Sequence, residues 1–293
     1  MSTVAMERPA KRRGAPVLHA LRRGVLLLAG LGALWGLWEG YSWFGIREHV
    51  TWPFTVDRIN MPHIHTILKA FGEPLQPDGP PLRHYLYHWA LFTAKEALAG
   101  FALGALIGFV LAIVLAHSGV LRRGLVPYIV VSQTVPILAV APMVVVGLGS
   151  KGVEPWQAVA VIAAYLTFFP VAINTLRGLR SPDPRALELM RSYAAGRWSI
   201  LWRLRVPASL PFVFSALKIS ATASVIGAII GETPASIQQG LGGAIVSFNQ
   251  YYSIQPANLW ATILVCAALG ILLFLAVVLV ERLVLRRAPE HVA

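Results

Sequence analysis

The stretch EALAGFALGALIGFVLAIVLA occupies residues 96–116. After its opening glutamate it runs to Ala116 with no charge and no proline. That length meets the ~20 apolar residues an α-helix needs to cross a hydrocarbon core about 30 Å thick. Gly100, Gly104 and Gly108 recur every four residues, which sets them on one helical face. Such a face of small residues lets a second helix approach closely in lipid. The whole chain fits this reading. Its 293 residues are 56% hydrophobic and 13% charged, against about 25% charged in a typical soluble domain. Mean hydropathy is +0.64. The expected fold class is an all-α polytopic membrane protein with about six transmembrane helices.

The spans fall near residues 24–44, 89–116, 125–148, 156–176, 208–230 and 257–281. Trp35, Trp38, Trp43 and Phe44 crowd the far end of the first as an interfacial belt. A cleaved signal peptide competes for that first span, but VLLLAGLGALWGLWEGYSWF is long, rich in tryptophan and without a small-x-small cleavage site, so a retained helix is expected. With the N-terminus in the cytoplasm, 18 basic residues face inward and at most six face outward, as the positive-inside rule requires. The net charge of +12 is thereby explained without nucleic acid. The expected organisation is a cytoplasmic tail (1–23), a first helix (24–44), an outer proline-rich segment (45–88), a core (89–281) with a cytoplasmic loop at 177–207, and a cytoplasmic tail (282–293). The setting is the bacterial inner membrane with both termini cytoplasmic.

Within the third span, SQTVPILAVAPMVVVGLG at 132–149 carries Pro136 and Pro142, each of which removes a helical hydrogen bond. Broken helices line the path in many transporters. Ser132, Gln133, Thr134, Pro136 and Pro142 are therefore path candidates, joined by Thr222, Ser224 and Glu232 from the fifth span and its end. Lys218, about three turns into the fifth span, is a functional-site hypothesis by default, but its long stem also lets it snorkel to the surface. Glu96 and Lys95 sit at the mouth of the second span. No carboxylate or histidine is expected inside a span. The outer segment holds His63, His65, His84 and His88. No cysteine or well-spaced carboxylate joins them, so they read as wet interfacial residues and no metal is expected. Cys266 stands alone and reads as apolar filler. There is no G-x-x-x-x-G-K-[ST] phosphate loop and no H-E-x-x-H helix, so no catalytic residue is assigned and ATP is not bound here by that route.

The loop RGLRSPDPRALELMRSYAAGRWSILWRLRVP, residues 177–207, is the unusual feature. Ser181 or Asp183 can cap a helix that Pro184 begins. Gly196 marks a break, and RWSILWRLR reads as a second short amphipathic helix ending before Pro207. Two readings stand on these residues: a basic loop lying on lipid, or a docking element for a cytosolic partner.

This segment resembles the cytoplasmic EAA loop of permease subunits of binding-protein-dependent ABC importers. In that pattern Glu-Ala-Ala opens the loop, a glycine follows six residues after the glutamate, and Ile-x-Leu-Pro ends it. Here Glu188 and Pro207 match at the right separation, while Ala194 stands at the glycine position and glycine comes at 196. The resemblance runs over about 85–285. SQTVPILAVAPMVVVGLG, GETPASIQQGLGGAIV (231–246, with Glu232, Gly240, Leu241 and Gly242 matching) and the closing ERLVLRR are similar to the nitrate, sulfonate and taurine permease group.

That resemblance implies a type I importer permease of the MetI-like fold, paired with a second permease copy as a homodimer. Two cytosolic ATPase subunits would bind ATP and Mg and grip the loops, and an extracytoplasmic solute-binding protein would deliver the solute; this chain would hold no cofactor. The implied coupling residues are Glu188, Arg191, Ala194, Gly196, Arg197, Trp198, Trp202 and Pro207. The structural glycines are Gly100, Gly104, Gly108, Gly240 and Gly242. The expected solute is small and organic, a sulfonate or a pyrimidine- or riboflavin-type precursor, with nitrate as the alternative. An ATP-independent secondary transporter is a second reading, supported by the kinked third span. A membrane enzyme or assembly factor using the outer histidines is a third.

Overall fold

The computed structural model describes residues 15–52 and 55–285. The tail positions 1–14 and 286–293 lie outside the described residues. Every regular element is a helix: α1 (Ala15–Arg47), α2 (Ile64–Ala70), α3 (Leu82–His117), α4 (Gly119–Ser132), α5 (Ile137–Gly149), α6 (Pro155–Leu179), α7 (Pro184–Ser192), α8 (Arg197–Ile200), α9 (Val206–Glu232), α10 (Leu241–Gln250) and α11 (Pro256–Leu285). The described residues before Ala70 form one compact unit, and those from Ala70 onward form another.

In the first unit, α1 turns out of its helix at His49, whose φ is +50°. The returning chain passes so close to Gly45 that a Cβ there would meet the Val56 side chain at 2.5 Å. Asp57 then makes an Asx turn, its Oδ1 accepting from Ile59 N at 2.9 Å and Asn60 N at 2.6 Å. Two α1 side chains grip the segment before α2: Ser42 Oγ donates to Met61 O at 2.9 Å, and Trp38 Nε1 donates to Pro62 O at 3.1 Å.

The second unit is organised by the glycine stripe. A Cβ on Gly100 would lie 2.6 Å from Ala160 O, one on Gly104 2.7 Å from Thr167 Cβ, and one on Gly108 2.6 Å from Phe168 O. Numbers rise together along α3 and α6, so the two helices are parallel. α9 runs the other way: Gly231 faces Val159, Gly227 faces Ala163 and Gly178 faces Ser209. α11 reverses again, with Lys218 of α9 donating to both Glu281 oxygens at 2.9 and 3.0 Å. That ion pair replaces the snorkelling Lys218 suggested by the sequence.

A parallel α3 and α6 need the intervening chain to cross back. The third span does so as a broken element: α4 and α5 meet at an angle of 99°. The interruption expected in the span at 125–148 is thus a full break between two helices. The break sits at Gln133–Pro136, where the Tyr165 hydroxyl donates to Ser132 O, halfway along α6. Pro136 caps α5 and makes the break, whereas Pro142 lies inside α5 without ending it. Among the described residues five helices are long and apolar enough to span a membrane, or six with the α4–α5 pair counted as one.

The helix expected to stop before Pro207 is also corrected. α8 passes through a π turn at Leu201–Arg205 directly into α9. The Val206 N–H bonds back to Leu201 O, an i→i−5 register that shifts the ladder just before a residue with no N–H to give.

Candidate functional site

Two places in the second unit gather the chemistry, at opposite ends of the parallel pair. The first is the end where α3 and α6 finish. Ala112, Leu115, Leu176, Leu179 and Leu201 form one buried cluster there. The π turn is thereby anchored to both long helices, and α8 runs through it into α9.

α7 begins on Pro184, with Asp183 Oδ1 accepting from Arg185 N at 2.8 Å; Ser181 instead donates to its own helix at Gly178 O. It ends in a Schellman motif: Ala195 N donates to Met190 O at 3.0 Å and Ala194 N to Arg191 O at 2.9 Å. The left-handed position of that motif is Ala194, at φ +52°. This conformation favours glycine and costs other residues about 1 kcal/mol or more. Gly196 has φ −66° and serves as the N-cap of α8. The bend thus lies at Ala194, with the Gly196 break two residues later.

Glu188 is exposed on α7 and makes no ion pair or side-chain hydrogen bond among the described residues. Arg191, Arg197, Arg205 and His117 line a cleft of about 570 Å³ beside it, and Arg205 Nε is buried without a partner among the described residues. Trp198 and Trp202 are 68% and 55% exposed; Trp198 lies against the His117 ring, centroids 5.6 Å apart. A second basic cleft, lined by Arg122, Arg123, Arg177 and Arg180 over apolar α4 and α6 side chains, opens nearby. Pro207 takes the first turn of α9.

At the other end two glutamates meet. Glu96 and Glu232 are both fully buried, and their carboxyl groups are near enough to interact electrostatically. The expectation of no buried carboxylate inside a span is overturned. Glu96 does not stay at the mouth of its helix because it lies four residues before Gly100, on the stripe that packs inward. Glu232 Oε1 accepts from Thr93 Oγ1 at 2.5 Å, and its Oε2 accepts from Gly242 N at 2.5 Å. Leu241 N donates to Thr93 Oγ1 at 2.9 Å. Thr93 and Glu232 therefore cap α10 from two other helices, a favourable place for a carboxylate. Gly240 leaves the room: a Cβ there would collide with the Glu232 carboxylate. Both Glu96 oxygens lack a hydrogen-bond donor among the described residues. Lys95, next to it, stacks over the Trp156 ring at 3.9 Å.

The remaining path candidates are scattered. Ser132, Gln133, Thr134 and Pro136 form the α4–α5 break. Ser132 and Thr134 donate to their own helix at Ile129 O and Val131 O. Thr222 is half-buried on α9 and bonds Ile219 O, while buried Ser224 bonds Ala221 O. Sequence reasoning missed Glu96 and Thr93. The available signal was spacing, since 96, 100, 104 and 108 form one series.

The histidines between 63 and 88 also change company. His84 and His88 pack ring to ring, 4.6 Å between centroids. His63 and His65 are joined by Glu39 of α1, the carboxylate that local sequence spacing does not supply.

Parallel and antiparallel spans, a broken span between them and a helical hairpin of basic and aromatic residues at one end define a membrane permease of the MetI-like fold. The chain belongs to the family of binding-protein-dependent transport system inner membrane components, which matches residues 104–288, and it is a permease-type ABC importer subunit. It is 33% identical over 186 residues to the formylaminopyrimidine transport permease protein ThiX of Halalkalibacterium halodurans, covering 64% of this chain and 72% of that one. It is 30% identical over 201 residues to the riboflavin transport system permease protein RibX of Chloroflexus aurantiacus, covering 69% and 72%. Against the putative aliphatic sulfonates transport permease protein SsuC of Bacillus subtilis, identity is 27% over 280 residues, covering 96% and 91%.

Proposed function

We propose that this chain forms the translocation path for a small organic solute, and that separate ATPase subunits drive it through the α7–α8 surface. The observation that carries the coupling role is Glu188. It is an exposed carboxylate on α7, which is joined through the Ala194 turn to α8, whose π turn packs against α3 and α6 and runs on into α9. An ATPase gripping α7 and α8 would act on α9 through the π turn, and alternating access needs such a link. The basic cleft of Arg191, Arg197 and Arg205 suits acidic groups on the partner. In this reading 177–207 is the EAA loop, both termini are cytoplasmic, a second permease copy completes the path, and a solute-binding protein docks at the opposite face.

For the solute, two relatives at or above 30% identity are named for formylaminopyrimidine and riboflavin, both heteroaromatic. A heteroaromatic nutrient is therefore the favoured class, ahead of sulfonates, with nitrate behind both. The α4–α5 break, with Ser132, Gln133 and Thr134, and the half-buried Thr222 are the proposed path residues. Family membership favours ATP-driven import over secondary transport or enzyme chemistry.

Glu188→Ala tests the coupling. An exposed residue without partners contributes within about 0.5 kcal/mol to stability, so the variant should fold and reach the membrane normally. ATP-dependent uptake in vesicles with the cognate ATPase and binding protein should fall at least tenfold. Uptake at the unaltered rate would remove Glu188 from the coupling surface.

A further inference from the structure

We propose that Glu39, His63 and His65 form a binding site for one divalent transition-metal ion of the zinc type, clipping α1 to the start of α2. The three donors converge on one point. Glu39 Oε1 lies 2.8 Å from His63 Nδ1 and 3.5 Å from His65 Nδ1. The two imidazoles stack with centroids 5.3 Å apart and planes at 23°, and the three ligand atoms lie within 4.8 Å of one another. With metal–ligand bonds of about 2.0–2.1 Å, neighbouring donors of a tetrahedral site are about 3.4 Å apart. The His65 separation already matches, and the His63 separation must open by roughly half an ångström.

The support around the donors is in place. Glu39 Oε2 accepts from Ile64 N at 3.2 Å, which orients the carboxylate and leaves Oε1 toward the rings. Trp38 and Ser42, flanking Glu39 on α1, hold the backbone at Met61 and Pro62, so the His-x-His segment is seated over Glu39. Such outer contacts fix ligand orientation. Two imidazole nitrogens and one carboxylate oxygen suit zinc, nickel or cobalt and not magnesium or calcium, which require oxygen shells. Side-chain exposures of 24% for His63, 33% for Glu39 and 72% for His65 leave a route for the ion and room for water as fourth ligand. A bare hydrogen bond would satisfy His63 and Glu39 alone; it does not require the second imidazole to bring its Nδ1 to the same oxygen.

The test uses the full chain without a polyhistidine tag, in lipid nanodiscs, stripped with chelator and titrated with zinc chloride by calorimetry. One ion per chain is expected, with a dissociation constant near or below about 10 µM and no response to magnesium. Zinc-edge X-ray absorption should show two imidazole nitrogens and a carboxylate oxygen. His65→Ala, at an exposed position that leaves the fold intact, should weaken binding at least tenfold. His84→Ala/His88→Ala should bind as the parent does. Zinc binding by His63→Ala/His65→Ala equal to the parent, or no stoichiometric binding by the parent, overturns the proposal. Tryptophan fluorescence and gel filtration distinguish lost binding from lost fold.

Discussion

Gly104→Val is expected to leave little folded protein in the membrane. Gly104 has no free space: a Cβ would lie 2.5 Å from Ala164 O and 2.7 Å from Thr167 Cβ. The first obstacle is backbone, which cannot rotate aside. α3 and α6 would have to separate along the whole stripe, since Gly100 and Gly108 meet α6 equally closely. Without a hydrophobic force between helices in lipid, packing at such contacts carries the association. Overpacking costs of about 3 kcal/mol are large against total stabilities of about 5–15 kcal/mol. Gly270→Val on α11 is the control, because a Cβ there meets nothing within 4 Å. Fluorescence-detected gel filtration of both variants should show a monodisperse peak for Gly270→Val and its loss for Gly104→Val. Equal peaks would mean α3 and α6 are not packed as described.

Glu232→Ala is the second large expected effect. The substitution leaves Thr93 Oγ1 and the Gly242 N–H without their acceptor and opens a cavity beside Gly240. Each unsatisfied buried group costs about 1–3 kcal/mol, so a total of about 3–5 kcal/mol is expected, seen as a large fall in the apparent melting temperature of the purified chain. The companion Glu96→Gln should be mild. Two ionised carboxyl groups in contact away from water repel, and sharing one proton removes that repulsion. An amide at position 96 donates to Glu232 as a protonated carboxyl does. If Glu96→Gln destabilises as much as Glu232→Ala, the two residues are not paired as described.

Much of the fold is legible in the sequence because length, hydropathy and charge asymmetry act locally. The span at 96–116, its glycine face and the cap at Asp183–Pro184 are read from neighbours along the chain. The failures come from contacts that local spacing does not encode. Glu96 looks like an interfacial residue until α9 and α10 bring Glu232 and Gly240 across 136 or more positions. Glu39 joins the histidines only because the chain turns back at His49. Pro207 reads as a stop, yet the π turn absorbs its missing N–H and the helix continues. Pro136 and Pro142 look alike in sequence, but only Pro136 lies at the break, next to the Ser132 carbonyl that Tyr165 holds. Ala194 is the opposite case: its place six residues after Glu188 marks the left-handed turn, although the residue there is not glycine.

The most direct measurement of the coupling claim is site-directed cross-linking. Cys266 is the chain's one cysteine, so a Cys266→Ala background accepts single reporters. Leu189→Cys places a thiol on the exposed face of α7 beside Glu188, and Ser150→Cys places one at the opposite end of the permease, after α5. In native membranes with a short bifunctional cross-linker, the predicted result is a covalent adduct with an ATPase subunit from position 189 and none from position 150. An ATPase adduct from position 150, or none from position 189 in membranes that still carry out ATP-dependent uptake, would contradict the docking of an ATPase on α7 and α8.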